Sequence, residues 1–275
     1  MKRGVLSRAF NYIFKGVPVI NMTAEITTIT NGKLLNDKVV LVTGGSSGLG
    51  FSMANKFITE GASVIITGRN EKALITAKEK LGKKCNYIVF DNGNVDDLND
   101  FFNQLNKYGE VNCLVCNAGI SLHENDFFDV TLETFDNQFD VNLRGTYFLV
   151  KNFIERRKTS NLLNILLITS ERGFQCDVLP YGLTKAALNS FCKGLARKYY
   201  KDKIRVNGIA PGVTASNMTG ITSDSNLYQP IISSGRYFLP EEVAEVAAFL
   251  LSNSSNCISG EIIATDAGNY ISSYY

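Results

Sequence analysis

The chain has 275 residues, of which 45% are hydrophobic and 20% are charged, a composition typical of a globular protein with a substantial core. Its 28 basic and 26 acidic residues give a formal charge of +2, which is too balanced to indicate a nucleic-acid-binding protein. No apolar run reaches the length that would predict a transmembrane segment.

Residues 1–36 form a basic N-terminal extension, with five basic residues and Glu25 as the single acidic one. Apolar residues recur at helical spacing over 6–17, which leaves two hypotheses: an arm packed on its own or a neighbouring subunit, which we favour, or a helix on a membrane surface. Because the apolar stretch is broken by polar residues, we do not predict a secretory signal. The six cysteines show no disulfide pattern, so we expect a cytoplasmic protein with reduced thiols.

From Asp37 onward, short β-rich runs alternate with longer helical patterns. The predicted strands are 39–43, 63–67, 86–90, 111–116, 164–169, 205–209 and 261–265. The predicted helices are 50–60, 71–81, 95–107, 132–155, 181–201 and 240–252. Because continuous apolar runs suit strands that are buried on both faces, residues 37–275 predict one α/β domain. Its sheet is expected to be Rossmann-like, doubly wound, parallel and seven-stranded, with ligands at the carboxyl ends of the strands.

The segment 217–234 interrupts this alternation and is rich in serine and asparagine. It is too long for an ordinary connection between a strand and a helix. We predict that it forms a lid over a substrate, with a plain surface insertion as the alternative.

A glycine-rich segment, T-G-G-S-S-G-L-G at 43–50, follows the first predicted strand. Glycines allow a sharp turn and a close approach of the backbone to a pyrophosphate, and the N-terminus of the next helix offers free N–H groups. No Lys-Ser or Lys-Thr follows the last glycine, which disfavours a kinase or nucleotidase. The residues predicted to bind a dinucleotide here are Gly44, Ser46, Ser47, Gly48, Leu49 and Gly50.

The second predicted strand ends in T-G-R-N at 67–70. In dinucleotide sites an acidic residue at this point binds the adenosine ribose, whereas an arginine accommodates a 2′-phosphate. A guanidinium grips a phosphate that a carboxylate would repel, so Arg69 predicts NADP(H) over NAD(H). The alternative is a solvated cation at the start of a helix.

Cys113 and Cys116 form a C-x-x-C within the fourth predicted strand. Residues three apart in a strand point to opposite faces, so we predict neither a zinc site nor a redox pair. His123 is the single histidine of the chain, and no metal site is predicted.

Tyr181 and Lys185 lie four residues apart near the start of a predicted helix, and therefore on one face of it. A cation beside a phenol favours the phenolate and brings its pKa closer to working pH. The pair is therefore a candidate general acid/base.

Seven motifs in order resemble those of the short-chain dehydrogenase/reductase family, over residues 37 to about 270, in particular its 3-oxoacyl-(acyl-carrier-protein) reductase-like members. They are T-G-G-S-S-G-L-G at 43–50, C-N-A-G at 116–119, Asn142 in V-N-L-R-G, Ser170 in T-S-E-R-G, Tyr181 with Lys185, the segment 207–212, and T-D-A-G at 265–268. The motifs are specific because they occur together and in this order.

The resemblance implies a catalytic group of Asn142, Ser170, Tyr181 and Lys185. By it, Tyr181 donates a proton to the substrate oxygen and Ser170 holds that oxygen. Lys185 binds the nicotinamide ribose and lowers the tyrosine pKa, while Asn142 holds a water that links Lys185 to solvent. The further cofactor-binding residues that it implies are Asp91 and Asn92 at the adenine, Asn117, Ala118 and Gly119 after the fourth strand, and Pro211, Gly212, Val213 and Ser216 near the nicotinamide.

The sequence departs from the family pattern at several points. Cys116 replaces the usual first asparagine of its motif, and the segment 91–94 is unusual. Glu171 and Arg172 follow Ser170, where small residues are common, and two interpretations are equally open: they face the substrate, or they form a structural ion pair. For His123 a solvated loop position is favoured over a functional one.

We therefore expect an NADP(H)-dependent enzyme that transfers a hydride between its cofactor and a carbonyl or alcohol. The two open substrate classes are 3-oxoacyl thioesters and sugars or polyols. An apolar pocket is predicted from Phe174, Val178, Leu179, Met218, Ile221 and Tyr228, and a polar one from His123, Glu171 and Arg172. A dinucleotide sensor without activity is a remote alternative, since the catalytic group is complete. The resemblance also implies a homotetramer or dimer.

Overall fold

The computed structural model describes residues 21–23, 33–157, 162–216, 218–222 and 224–272. Most of the extension 1–36 lies outside these residues, including the segment 6–17, so both hypotheses about it stay predictions. Within the described part, no helix combines the length and apolar character needed to cross a membrane.

The described residues form one parallel sheet of seven strands, in the order β3-β2-β1-β4-β5-β6-β7. The strands are β1 Val39–Thr43, β2 Ser63–Gly68, β3 Cys85–Val89, β4 Cys113–Cys116, β5 Leu163–Ile168, β6 Ile204–Pro211 and β7 Ile262–Thr265. Every predicted strand is present, with its ends within two residues of those expected. The strand order reverses between β1 and β4, which is where a doubly wound sheet opens a crevice for a ligand.

Helices cover both faces of the sheet. They are α1 Gly48–Thr59, α2 Glu71–Leu81, α3 Leu98–Leu105, α4 Leu132–Phe139, α5 Gly145–Glu155, α6 Pro180–Tyr199, α7 Pro240–Leu251 and a short α8, Asn269–Ser272. Single-turn 3₁₀ helices flank α3, so the predicted helix 95–107 is regular only in its middle.

The prediction of one helix over 132–155 is wrong in its interior. A π-helical segment, Asp140–Arg144, separates α4 from α5. Directly after it, Gly145 lies so close to the carbonyl oxygen of Asn92 that a side chain there would collide with that oxygen. The irregular turn therefore coincides with a close approach between this helix and the chain that follows β3.

The two larger of the three apolar clusters in the described residues lie one on each face of the sheet. Cys113 belongs to the cluster beneath α1 and α7, and Cys116 belongs to the cluster beneath α3 and α5. Their predicted opposite orientation is confirmed. Burial raises the pKa of the Cys113 thiol to about 11 and also raises that of Cys116. In the described residues, no group of three or more histidine, cysteine or acidic side chains is placed to hold a metal ion.

A buried arginine closes the amino-terminal edge of the sheet. Arg205, at the start of β6, is 4% exposed. Its guanidinium donates to the carbonyl oxygens of Leu250, Ser252, Ser255 and Ile258, at 3.0, 3.0, 2.7 and 3.2 Å. Because the last carbonyls of a helix have no partners within the helix, this side chain satisfies the end of α7 and the turn that follows it.

Candidate active site

The predicted cofactor residues line one cleft at the carboxyl ends of the strands. Its volume is about 590 Å³, and its walls include the glycine turn, Arg69, the segment 117–121, Ser170, Tyr181, Lys185 and the segment 211–214. A cleft of this size is typical of a small-molecule site. Every predicted cofactor-binding residue lies in this lining, from Gly44 to Ser216. Asn142 does not, and lies behind the wall.

The glycine turn has the shape that a bound pyrophosphate needs. Gly44 and Gly48 have positive φ angles of 65° and 53°. A Cβ on Gly50 would lie 2.6 Å from Nδ2 of Asn117, so only a glycine fits. Helix α1 begins at Gly48, two residues earlier than predicted, and the side chain of Ser47 makes no capping hydrogen bond. The first-turn N–H groups therefore lie at the cleft without a side-chain cap, as an anion site requires.

Two side chains behind the turn hold it in place. The hydroxyl of Thr43 accepts hydrogen bonds from the backbone N–H groups of Asn117 and Ala118, at 3.0 and 2.9 Å. Nδ2 of Asn117 donates to the carbonyl oxygens of Thr43 and Gly44, at 2.9 and 3.2 Å. Asn117 therefore shapes the turn as well as lining the cleft. Sequence reasoning missed the role of Thr43, although its position directly before the first glycine was a usable signal.

Arg69 lies at the cleft. It follows β2, is exposed, and lines the cleft beside Gly68 and Asn70. Asn70 caps α2 by accepting from the N–H of Ala73 at 3.1 Å. A cation is therefore held at the rim of the cleft by a well-defined start of helix.

Asp91 and Asn92 line the same cleft after β3. Oδ1 of Asp91 accepts from the N–H of Gly93 at 3.0 Å, which forms a tight local turn. Asn92 is buried and donates to the carbonyl oxygen of Val141 at 2.6 Å. The amide of Asn92 thus ties the end of β3 to the π-helical segment.

Ser170, Tyr181 and Lys185 come together on one wall of the cleft. Ser170 lies two residues after the end of β5, and the other two lie in the first turns of α6. Nζ of Lys185 is 5.5 Å from the centre of the Tyr181 ring and donates to the carbonyl oxygen of Ile168 at 2.9 Å. Ser170 lies near enough to Tyr181 for its hydroxyl to lower the pKa of the phenol. The three groups are therefore within reach of one substrate oxygen.

Burial dominates the ionisation of this group. It raises the pKa of Tyr181, against a smaller lowering by the hydroxyl of Ser170. Burial also lowers the pKa of Lys185 to about 8. The net pKa of Tyr181 is raised, because removing a charged phenolate from water costs more than the nearby groups offset. The expected lowering of this pKa by Lys185 stays a prediction.

Asn142 supports the group from behind. It is 1% exposed and lies in the π-helical segment. Its Oδ1 accepts from the N–H of Ile120 at 2.8 Å, and its Nδ2 donates to the carbonyl oxygen of the same residue at 2.9 Å. A Cβ on Gly119 would lie 3.2 Å from this Oδ1 and 3.4 Å from Nζ of Lys185. Asn142 therefore fixes the loop against which Lys185 packs.

Comparisons with known proteins agree with this geometry. A family model described as enoyl-(acyl carrier protein) reductase matches residues 44–269. The chain is 34% identical over 245 residues to the 3-oxoacyl-(acyl-carrier-protein) reductase of Aquifex aeolicus, covering 86% of this chain and 98% of that one. It is 32% identical over 246 residues to the 3alpha-hydroxysteroid dehydrogenase of Mediterraneibacter gnavus, covering 85% and 97%. The chain belongs to the short-chain dehydrogenase/reductase family.

A solved structure supports the same family and the same fold. The 3-ketoacyl-(acyl-carrier-protein) reductase from Brucella melitensis, complexed with NADH, superposes with a TM-score of 0.79 at 28% identity, covering 86% of this chain and 99% of that one. The protein is therefore an oxidoreductase of a family that binds nicotinamide dinucleotides, with the Rossmann-like fold expected.

Of the two open interpretations of Glu171 and Arg172, the ion pair between them does not form. The guanidinium of Arg172 pairs with Asp177 at 2.5 Å, while Oε2 of Glu171 accepts from Nδ2 of Asn269 at 2.9 Å. Both residues line the cleft. The interpretation that they face the substrate is therefore the one the geometry favours for this short-chain dehydrogenase/reductase.

Part of the predicted lid, the segment 217–234, lines the cleft. Within its described residues, Met218 and Thr219 line the cleft, and the carbonyl oxygen of Met218 is 3.1 Å from Nε2 of His123. His123 thus contacts the lid, although it is exposed.

Most of the predicted apolar pocket does not form. Of the six residues assigned to it, only Met218 is in the cleft lining. Phe174 stacks on Tyr270, Ile221 packs beside Leu227, and Val178 is 63% exposed. Leu179 and Tyr228 also lie outside the lining. Of the two pockets left open by the sequence, the polar one fits the lining better, since His123, Glu171 and Arg172 all belong to it.

Proposed function

We propose that this enzyme is an NADP(H)-dependent reductase of 3-oxoacyl thioesters. The observation that carries the proposal is the convergence of Ser170, Tyr181 and Lys185 on the wall of the cleft that the glycine turn also forms. When bound, the dinucleotide supplies the hydride for the carbonyl carbon, or accepts one in the reverse direction.

The residues of the chain handle the proton and the developing charge. The phenol of Tyr181 gives its proton to the carbonyl oxygen, which completes the alcohol. The hydroxyl of Ser170 donates a hydrogen bond to the same oxygen and fixes its position. The ammonium of Lys185, held by the carbonyl of Ile168, stabilises the phenolate left on Tyr181.

The preference for NADP(H) rests on Arg69. The turn from Gly44 to Gly50 would hold the pyrophosphate, and the guanidinium at the rim would bind a 2′-phosphate. Because the solved relative contains NADH, cofactor choice has to be measured on this chain. The test is the ratio of kcat/KM for NADPH to that for NADH in the wild type and in Arg69→Asp.

We expect Arg69→Asp to reduce that ratio about 100-fold, since the substitution replaces a cation by an anion beside the phosphate. Lys72→Asp makes the same charge change on the exposed face of α2, outside the cleft lining, and should leave the ratio unchanged. Equal ratios in Arg69→Asp and the wild type would overturn the NADP(H) assignment.

The substrate class is supported by the relatives, of which several are named 3-oxoacyl-(acyl-carrier-protein) reductase. The test is NADPH oxidation with the acetoacetyl thioester of N-acetylcysteamine and with a keto sugar such as fructose. Higher kcat/KM on the thioester is expected. The reverse order would favour the second candidate, a sugar or polyol oxidoreductase, which the polar wall of Glu171 and Arg172 supports.

We further propose that copies of the chain associate into a dimer or tetramer. Large apolar side chains are exposed around α4 and α5, with Phe128 and Leu132 at 90% and 85% and Tyr147 and Phe148 partly exposed. An apolar patch of this kind is typical of a protein interface. Light scattering of the full chain should give a mass of two or four copies, and Phe148→Glu should lower it. A monomeric wild type would reject this proposal.

A further inference from the structure

One acidic side chain stands beside the catalytic group with no established role. Glu171 follows Ser170 directly, is 8% exposed, and belongs to the lining of the cleft. Carboxylates are rarely buried to this extent without a charged partner. The groups around Glu171 therefore indicate its role.

The charge of Glu171 is not cancelled by a nearby ion pair. The neighbouring guanidinium of Arg172 is bound to Asp177. Among the described residues, Glu171 forms a hydrogen bond with the neutral amide of Asn269, whose Nδ2 donates to Oε2 at 2.9 Å. Glu171 thus lines the wall next to Ser170 without a salt bridge to a described residue, whereas the charge of Arg172 is paired with that of Asp177.

Asn269 holds this carboxylate in one orientation. Its Nδ2 donates to Glu171, while its Oδ1 accepts from the N–H and the hydroxyl of Ser233, at 3.0 and 3.2 Å. The next residue, Tyr270, stacks on Phe174 with ring centres 4.7 Å apart. Three segments of the chain thus meet at one amide, and they fix where the negative charge lies.

The field of this carboxylate reaches the reacting centre. Desolvation is the largest cause of the raised pKa of Tyr181; among the smaller causes, the charge of Arg172 lowers this pKa and the charge of Glu171 raises it, by less than Arg172 lowers it. Desolvation raises the pKa of Glu171 itself. Whenever Glu171 is ionised, a substrate held at Tyr181 lies within the field of its carboxylate.

We propose that Glu171 is a specificity-determining residue that excludes carbonyl substrates with a free carboxylate beside the reacting carbonyl, and that Asn269 is its positioning residue. The inference rests on the proposed function and deepens it. A 3-oxoacyl thioester is neutral at the position where the free 3-oxo acid carries its charge. Repulsion by Glu171 would therefore select the thioester over the acid.

The test compares two probes with the same reacting ketone, acetoacetate as the anion and methyl acetoacetate as the neutral ester. The measured quantity is the ratio of their kcat/KM values with NADPH. Replacing the carboxylate in Glu171→Gln should raise the relative value for acetoacetate about tenfold, since two like charges repel strongly across a partly buried site. The change should appear in KM more than in kcat.

Three further variants separate charge from structure. Glu171→Asp keeps the charge and should keep most of the discrimination. Asn269→Ala releases the carboxylate and should give a smaller rise than Glu171→Gln. Glu79→Gln removes an equal charge from the exposed face of α2 and should leave the ratio at the wild-type value. If Glu171→Gln does not fold, Glu171→Ser removes the same charge.

Failure of the inference is distinct from failure of the proposed function. Should the wild type reduce neither probe, calorimetry of each probe with the NADP⁺-loaded protein gives the same ratio from binding alone. An unchanged ratio in folded Glu171→Gln or Glu171→Ser, by turnover or by binding, would overturn the role of Glu171. Loss of discrimination in Glu171→Asp as well would show that shape rather than charge selects the substrate.

Discussion

The two edges of the sheet use polar side chains in opposite ways. At the amino-terminal edge, the side chains of Arg205 and Asn112 form hydrogen bonds with backbone groups. At the carboxyl edge, Ser170, Tyr181 and Lys185 have few protein partners and face a cleft. A buried polar group that is satisfied contributes to stability, whereas one that is left open at a cleft is available for chemistry.

This difference predicts that substitutions at the two edges change different quantities. At the carboxyl edge, activity should fall while the free energy of unfolding stays nearly constant. At the amino-terminal edge, the free energy of unfolding should fall while kcat/KM stays constant.

The largest effect is expected for Tyr181→Phe. Removing the phenolic proton should lower kcat for carbonyl reduction by about 10²- to 10⁴-fold, the usual contribution of a general acid. The midpoint of urea unfolding should change little, because the ring remains in place. Steady-state NADPH oxidation and urea titration of the same preparation check both statements. Turnover equal to the wild type would remove Tyr181 from the mechanism.

Arg205→Met should give the opposite pattern. The variant leaves several carbonyl oxygens at the end of α7 without their donor, and we expect a loss of about 3 kcal/mol in the free energy of unfolding. Urea unfolding measures this loss, and kcat/KM of the folded fraction should match the wild type. Arg197→Met, an exposed arginine on α6, is the matched control and should cost almost nothing. A large loss of kcat/KM in Arg205→Met would break the distinction between the edges.

The ionisation of Lys185 predicts a pH dependence at the carboxyl edge. Its pKa is lowered to about 8, so the ammonium is present below that pH and is lost as the pH rises through it. Tyr181 has a raised pKa and keeps its proton to higher pH, so Lys185 titrates first. We expect kcat/KM for reduction to be constant below pH 8 and to fall by up to about tenfold per pH unit above it.

Rates measured from pH 6 to 10 with NADPH at saturation test this expectation. Lys185→Arg keeps its cation throughout this range, so whatever activity it retains should not fall near pH 8. A wild-type profile that stays flat to pH 10 would show that the lysine charge is not required.

The sequence predicted the strands and the cleft well, because both depend on local patterns. Continuous apolar runs identify buried parallel strands, and their carboxyl ends share one edge whatever the helices do in detail. The glycine turn is similarly local, since Gly44 and Gly48 adopt conformations that other residues resist.

The features that sequence reasoning missed depend on contacts between distant segments. The π-helical turn at Asn142 forms where the helix meets Asn92 and Ile120, and nothing in the local spacing of 132–155 indicates it. The partner of Glu171 is Asn269, 98 residues away, so the sequence left open whether Glu171 pairs with the adjacent Arg172 or faces the substrate. Burial of Tyr181, which sets the direction of its pKa shift, is likewise a tertiary property.

Asn117 combines the features of both edges, and its substitution has the smallest predicted effect on activity and stability. Asn117 lines the cleft at the carboxyl edge, yet its amide donates hydrogen bonds to the backbone of Thr43 and Gly44. The amide of Asn112 bonds to the backbone in the same way at the amino-terminal edge. Asn117→Ala should therefore change both quantities. We expect a loss of about 1 kcal/mol in the free energy of unfolding, as for one or two neutral hydrogen bonds.

The same substitution should raise the KM for NADPH a few-fold, because the glycine turn that the amide supports becomes less well ordered, while kcat changes less. Asn112→Ala is the matched control: an equal loss of stability and an unchanged KM are expected, since its amide supports the start of β1, away from the cleft. If both variants raise the KM equally, loosening anywhere in the sheet reaches the cofactor site. If neither does, the glycine turn holds its shape through its own backbone, and Asn117 serves the fold alone.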